Sequence, residues 1–312
     1  SRSVRWLPGF VLLSVIWGSS FLFIKVGVRE LHPMYVALFR VGTGAVTLLV
    51  VLLVTRVRLP RDPKLWGHLA VVTAAGVALP FTLFGFGEQR ISSGLAGIWN
   101  AVTPLIVLPV AVLVFRTERM TAQRTAGLVL GFSGVLVVLG VWHGVGGIQL
   151  TGQLMCFGAA VCYGFAIPYL RRFVAGRPES GVSISAAQLV VATVQLGLVT
   201  PLVAGAPPAP SSLSLDVVAS VVALGALGTG LAFVINLRNI EMIGATAAST
   251  VTYVIPVFAT LIGVVGLGEQ MSWYQPVGAL VVLVGVAVSQ GAFTVLKRPQ
   301  LVEAGTPVCV ES

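Results

Sequence analysis

Two stretches of the chain share one pattern: residues 115–136 read FRTERMTAQRTAGLVLGFSGVL, and residues 266–287 read GLGEQMSWYQPVGALVVLVGVA. When they are aligned, Glu118 matches Glu269, and a methionine and two glycines follow at equal spacing in both. Chance alignment of glycine-rich apolar helices is the alternative. The glutamate and methionine matches go beyond shared hydrophobicity, so we predict an internal repeat.

Further matches lie outside these stretches. The pair Trp17–Gly18 matches the pair Tyr163–Gly164, and Pro104 and Pro256 fall in the middle of corresponding apolar segments. The offset between matching positions drifts by a few residues along the chain. Loops of different length in the two copies would cause such a drift.

Apolar runs of about 20 residues, the length that crosses a bilayer core as a helix, recur along the whole chain. The composition is 56% hydrophobic and 9% charged, whereas a soluble domain carries about 25% charged residues. A soluble helical protein with a very large core is the alternative, but so few charges cannot cover a water-facing surface. We predict ten helices near residues 7–28, 34–55, 66–87, 93–115, 124–142, 152–170, 184–204, 216–237, 244–266 and 274–295.

The basic residues indicate the orientation, because short connections rich in Lys and Arg stay in the cytoplasm. Fifteen of the 19 basic residues lie on one side of the predicted helices: Arg2, Arg5, Arg56, Arg58, Arg61, Lys64, Arg116, Arg119, Arg124, Arg171, Arg172, Arg177, Arg238, Lys297 and Arg298. The other side has Arg29 and Arg90, and Lys25 and Arg40 fall within helices. We expect a multi-pass protein of a bacterial-type plasma (inner) membrane with both termini in the cytoplasm.

Each predicted repeat holds five helices, an odd number, so the second copy begins on the opposite side of the membrane. We therefore predict an all-α membrane protein of ten transmembrane helices in two inverted five-helix repeats, a plan common among carriers. The expected division is residues 1–145 for the first repeat, 146–296 for the second and 297–312 for a cytoplasmic tail.

Several short motifs carry a family resemblance: IWGSSFLFIK at 16–25, ALFR at 37–40, the segment Ser92–Pro104, and the paired TERMT and GEQMS. With them the chain resembles the drug/metabolite transporter superfamily, specifically proteins with two EamA-type repeats. It is similar to the aromatic amino acid exporter branch. The resemblance implies ten helices, cytoplasmic termini and a central cavity.

The acidic residues constrain how transport could be driven. All ten are predicted in loops, tails or helix ends: Glu30, Asp62, Glu88, Glu118, Glu179, Asp216, Glu241, Glu269, Glu303 and Glu311. Ionisable groups at membrane depth mark proton or ion paths, so no mid-depth carboxylate relay is expected. Facilitated or exchange transport, or coupling through groups nearer the rim, is favoured. We expect no cofactor, no metal, no nucleic-acid partner and no enzymatic activity.

Polar and aromatic residues inside apolar helices are candidates for lining a cavity, because a buried N–H, O–H or amide needs a partner. Helix–helix hydrogen bonding or core packing is the alternative for each. Arg40 could hold a substrate carboxylate, or it could pair with Glu88, bind a carbonyl or snorkel; Lys25 is expected to snorkel. The candidate cavity residues are Trp17, Phe21, Arg40, Phe84, Trp99, Asn100, Tyr163, Ser249, Thr250 and Tyr253. Candidate hinges or kinks are Pro80, Pro104, Pro168 and Pro256.

Three functions remain open at this point. The favoured one is a secondary transporter, possible as a monomer in the lipid bilayer, that exports amino acids or related small metabolites by alternating access through a central cavity between two inverted halves. An efflux transporter of lipophilic drugs or toxic compounds is the second. A non-transporting membrane receptor or scaffold is the third, and it has little support because the chain lacks a sizeable soluble domain.

Overall fold

The computed structural model describes residues 6–143, 147–243, 248 and 250–291. Within these residues all regular secondary structure is helical, and eight helices are long and apolar enough to cross a membrane. Two shorter apolar helices follow them. The eight are α1 (Leu7–Gly27), α2 (Pro33–Thr55), α3 (Pro63–Glu88), α4 (Ser93–Leu113), α5 (Ala122–His143), α6 (Ile148–Phe173), α7 (Gly181–Ala204) and α8 (Leu215–Met242), and the shorter two are α9 (Val251–Leu267) and α10 (Tyr274–Ser289).

The helices begin and end where local chemistry favours it. Side-chain oxygens of Asp62, Ser92 and Thr121 accept backbone N–H groups in the first turns of α3, α4 and α5, which satisfies donors that a helix start leaves open. The helical part of α5 stops at Gly140 and α9 stops at Gly268, both in the left-handed region that glycine adopts without strain. Each described helix overlaps one predicted segment.

Three irregularities interrupt the long helices. A π-helical turn at Ala74–Ala78 lies inside α3, and a second at Ala226–Leu231 lies inside α8. Helix α4 breaks after Asn100 and resumes at Thr103. The next residue is Pro104, which has no N–H to donate to the carbonyl of Asn100, so the break has a local cause.

Glycines bring α5 and α10 into backbone contact. A side chain at Gly285 of α10 would collide with the backbone of Gly131 on α5. Side chains at Gly134 and Gly278 would meet the backbones of Val282 and Val138 in the same way. Small residues let lipid-embedded helices approach this closely. The glycine register seen in the sequence therefore forms the contact between these two helices.

The outer surface of the bundle is apolar. Leu53, Leu202, Leu215 and Val265 are each at least 80% exposed, and an apolar surface of this kind fits lipid and not water. Together with the eight candidate spans, this confirms the prediction of an all-helical, multi-pass membrane protein.

One ion pair joins two of the basic connections. Arg177, after α6, lies 2.6 Å from Asp62, which precedes α3. The backbone N–H of Lys64 and the side chain of Arg177 hold the pKa of the Asp62 carboxyl below its usual value. The carboxylate therefore stays ionised at neutral pH, and the link between the two connections is present there.

The α5–α10 contact makes a testable prediction. Gly285→Ala should lower the stability of the purified protein by about 1–3 kcal/mol, because the added methyl group meets backbone that cannot move aside. Gly67→Ala is the matched control, since Gly67 is exposed on α3 and a methyl group there meets nothing within 4 Å. The measurement is the melting temperature in detergent. Equal melting temperatures for the two variants would contradict the packing described here.

Candidate functional site

A cavity of about 800 Å³ lies in the centre of the bundle. Helices before and after residue 145 both line it: α1 to α5 contribute from the first part of the chain, and α6, α8, α9 and α10 from the second. Its size is within the range of small-molecule sites.

One end of the cavity reaches the side that carries the basic connections. Glu118 in the α4–α5 connection and Arg124 at the start of α5 line this end, together with Arg171 near the end of α6 and Gln290 after α10. Glu118 and Arg124 form an ion pair of 2.8 Å and keep about a third of their side-chain surface exposed. We refer to this end as the mouth.

Aromatic rings close the cavity at depth. Phe21 of α1 meets Phe84 of α3 edge-on, with ring centroids 5.5 Å apart. Phe84 in turn lies 6.2 Å from the ring of Tyr163 on α6. All three rings line the cavity, so its inner wall is aromatic and apolar.

Beyond this wall, polar contacts join the connecting segments and close the far end of the cavity. The Glu269 carboxylate, after α9, accepts the backbone N–H of Ser93 at 2.7 Å, its hydroxyl at 2.9 Å and the N–H of Gly94 at 3.2 Å. It thereby joins the connection after α9 to the first turn of α4. Lys25 Nζ donates to the carbonyls of Glu88 and Ile91 at 2.7 and 2.8 Å. Lys25 was expected to snorkel; it binds these carbonyls instead.

Glu88 is buried more deeply than its position in the sequence indicates. It is the last residue of α3, as expected for a helix end, but it is fully buried and neither carboxylate oxygen has a hydrogen-bond partner. Lys25 Nζ binds its backbone carbonyl and that of Ile91 in the α3–α4 connection. A helix end in the sequence is therefore not a solvated position in this bundle.

Arg40 is the buried cation of the cavity. Its side chain is 8% exposed overall, yet it lines the cavity from α2. The Nε atom donates to Thr229 Oγ1 at 2.9 Å, and the guanidinium carbon lies 3.6 Å above the ring of Phe81. Within the described residues, no hydrogen bond engages the two terminal Nη atoms, and Glu88 forms no ion pair with Arg40. The guanidinium is thus fixed on one edge and open on the other.

The π-helical turn of α8 explains how Thr229 reaches Arg40. Thr229 lies inside this turn, and its hydroxyl donates to the carbonyl of Leu224 at 3.1 Å. With its hydrogen used in that bond, the oxygen is oriented to accept from Arg40. π-Helical turns recur at functional sites in helices. Thr229 is not among the candidates chosen from sequence, because a π-helical turn has no simple residue signature.

Further polar side chains line the cavity without a hydrogen-bond partner among the described residues: the indole N–H of Trp17, the amide of Asn100, the hydroxyl of Thr103 and the phenol of Tyr163. A polar group facing a wet cavity keeps water as its partner, so this arrangement avoids the cost of burial. The structure thus brings together Trp17, Phe21, Arg40, Phe84, Asn100 and Tyr163 of the residues chosen from sequence.

The other sequence candidates lie elsewhere. Trp99 points away from the cavity, is 2% exposed, and its Nε1 donates to Gln153 Oε1 on α6 at 3.1 Å. The Tyr253 hydroxyl donates a hydrogen bond to Gln290 Oε1. Thr250 precedes α9 and is exposed. Neither side chain lines the cavity, and Ser249 lies outside the described residues. Trp99 is the clearest correction: it packs two helices together.

The prolines differ in their surroundings. Pro104 lines the cavity at the break in α4. Pro80 lies two residues after the π-helical turn of α3, and Pro256 lies inside α9, four residues after the cavity residue Thr252. Pro168 is buried in α6 away from the lining. In the part of the chain that the structure describes, no three His, Cys, Asp or Glu side chains converge as metal ligands would.

Comparison with known proteins gives a consistent picture. The family model of the EamA-like transporter family matches residues 4–140 and again residues 150–290. The chain is 25% identical to the uncharacterized transporter YoaV of Bacillus subtilis (strain 168), with 93% of this chain and 98% of that protein covered. It is 28% identical to a probable terminal-alkyne amino-acid exporter of Streptantibioticus cattleyicolor, covering 88% and 90%.

Two further comparisons agree with these. The chain is 24% identical to a probable amino-acid metabolite efflux pump of Salmonella typhimurium, with 93% of this chain and 96% of that protein covered. A crystal structure of a protein with 21% identity superposes with a TM-score of 0.65 over 96% of this chain and 100% of that one. This last match supports the fold alone.

The buried Trp99–Gln153 bond predicts a structural phenotype. Gln153→Leu should destabilise the protein by about 1–3 kcal/mol, because it leaves the indole N–H of Trp99 buried without an acceptor. The double variant Trp99→Phe/Gln153→Leu should recover part of that loss, since neither polar group remains. Melting temperatures of the two single variants and the double variant check this. Additive losses would contradict a direct bond between the two side chains.

Proposed function

The chain belongs to the EamA-like transporter family, and we propose that it exports amino acids or related small metabolites through the central cavity by alternating access. The observation that carries the proposal is the cavity itself. It is open at one end, closed at the other by aromatic rings and polar contacts, and lined by polar groups that have no hydrogen-bond partner among the described residues. A bound solute could form hydrogen bonds with those groups.

We further propose that residues 1–145 and 146–296 form two inverted repeats of five membrane-crossing helices each. The π-helical turns of α3 and α8 begin 152 residues apart, at Ala74 and Ala226. Pro104 and Pro256 are separated by the same interval. Two similar halves of opposite orientation can exchange conformations, and that exchange would move the opening from one side of the cavity to the other.

The orientation follows from the positive-inside rule. With the basic connections and both termini in the cytoplasm, the mouth faces the cytoplasm, and the ties at Glu269 and Lys25 close the outer end. An inward-open carrier that takes up solute from the cytoplasm and releases it outside is an exporter. The names of the relatives support amino acids and their metabolites as substrates.

Flux measurements test the transport proposal. Wild-type protein in liposomes should release a loaded amino acid faster than protein-free liposomes, and Trp17→Ala and Tyr163→Ala should each slow release by at least about tenfold, since each removes a large contact from the cavity wall. Trp142→Ala is the control, because Trp142 is 50% exposed on the outer surface. Absence of release across a panel of the twenty amino acids would refute amino-acid export.

A labelling experiment tests the outer closure. Glu269→Gln removes the charge that three donors of α4 share, so the outer end should open more often. In a background whose cysteines are replaced by alanine, a cysteine at Ile24 should react about tenfold faster with a membrane-impermeant maleimide added outside intact cells. Glu118→Gln is the matched control, because this counterpart in the first repeat lies at the open end. Equal rates for both variants would argue against Glu269 as an outer tie.

A further inference from the structure

We propose that the cavity selects its substrate by a carboxylate, which binds the open edge of Arg40, and that the amino group of an amino acid is not needed for binding. This inference rests on the transport function proposed above and narrows its substrate class. It applies to carboxylates with an apolar or aromatic remainder, whether or not they carry an amine.

The described residues engage only part of the Arg40 guanidinium. A charged side chain that is more than nine-tenths buried destabilises the fold unless partners compensate its charge. Arg40 has one hydrogen bond, to Thr229, and one ring contact, to Phe81. Its two Nη groups have no hydrogen-bond partner among the described residues, and Arg40 lines the cavity. A carboxylate matches the spacing of two parallel N–H donors and would complete the site.

The guanidinium of Arg40 is held in place before any solute binds. The Thr229 hydroxyl is oriented by its bond to Leu224, and it fixes Nε at 2.9 Å. The Phe81 ring supports one face of the guanidinium plane at 3.6 Å. A group fixed in this way loses little side-chain freedom when it binds a ligand, which favours affinity.

The charged residues in the described cavity lining are mostly basic. The charged residues that line the cavity are Arg40, Arg124, Arg171 and Glu118, and Glu118 already pairs with Arg124. Positive charge is therefore in excess, and the field favours anions over cations. This balance disfavours a cationic lipophilic drug as the substrate.

The same balance explains why the amine would contribute little. Glu118 at the mouth is the one acid among the described lining residues, and Arg124 neutralises it. Glu88 is fully buried and is not part of the cavity lining. An ammonium group in the cavity would find the Asn100 amide, the Tyr163 hydroxyl and water, but no free carboxylate. The rings of Phe21, Phe84 and Trp17 suit the apolar remainder of the solute.

Matched acids and amides test the inference on the intact protein in detergent. Isothermal titration calorimetry would compare alanine, leucine and phenylalanine with their amides, and 3-phenylpropionate with 3-phenylpropionamide. We expect at least one acid to bind, each amide to bind at least about tenfold more weakly than its acid, and 3-phenylpropionate to bind within about threefold of phenylalanine. Equal affinities within the acid–amide pairs, or no binding by any acid, would overturn the proposal.

Variants assign the effect to Arg40. Arg40→Gln should abolish the preference for acids. Arg40→Lys should keep part of it, because lysine retains the positive charge but lacks the two parallel N–H donors of arginine. Thr229→Val should reduce the preference while leaving the charge in place. A full acid preference in Arg40→Gln would overturn the assignment. The comparison of acids with amides on the wild type does not depend on whether a variant folds.

The same ligands, used in the liposome flux assay, separate this inference from the proposed function. If acids bind but none is released from liposomes, the transport proposal fails and the carboxylate site stands. If acids and amides are carried equally well, the carboxylate site fails and transport stands.

Discussion

In a bilayer every backbone N–H and C=O must find a partner inside the protein, because the hydrocarbon offers none and each open group costs several kcal/mol. Irregular backbone is therefore tolerated only where it is buried in protein or meets a wet cavity. The irregular segments of this chain follow that rule. The turn at Ala74–Ala78 and the break before Pro104 line the cavity, and the turn at Ala226–Leu231 places Thr229 against Arg40.

The two proposed halves share features of architecture but differ in chemistry. The glycine contact between α5 and α10 joins one helix from each half, and the π-helical turns occupy corresponding positions. By contrast, Glu269 ties the outer end to α4, whereas its counterpart Glu118 pairs with Arg124 in the open mouth. The proposed alternating-access cycle would require such a difference, with one proposed half in the closed arrangement and the other in the open one.

Much of this could be predicted from sequence, and the reasons are physical. Helix positions follow from apolar runs of bilayer length, and polar residues such as Arg40 and Asn100 are costly inside such runs, so they had to have a special environment. What the sequence could not give was the direction each residue faces. Trp99 and Asn100 are adjacent, but one packs on Gln153 and the other lines the cavity. A helix that is apolar on all sides carries no pattern that distinguishes these faces.

Alternation between two openings is the central claim, and spin-label distances in lipid test it most directly. One label pair, at Arg119 and Glu241, would lie on exposed positions beside the mouth, and the other, at Gln89 and Gln270, on exposed positions at the closed end. Double electron–electron resonance with and without a transported solute should show a second population. In it the mouth pair is closer together and the outer pair is farther apart. Distances that stay fixed, or that change in the same direction at both ends, would contradict alternating access.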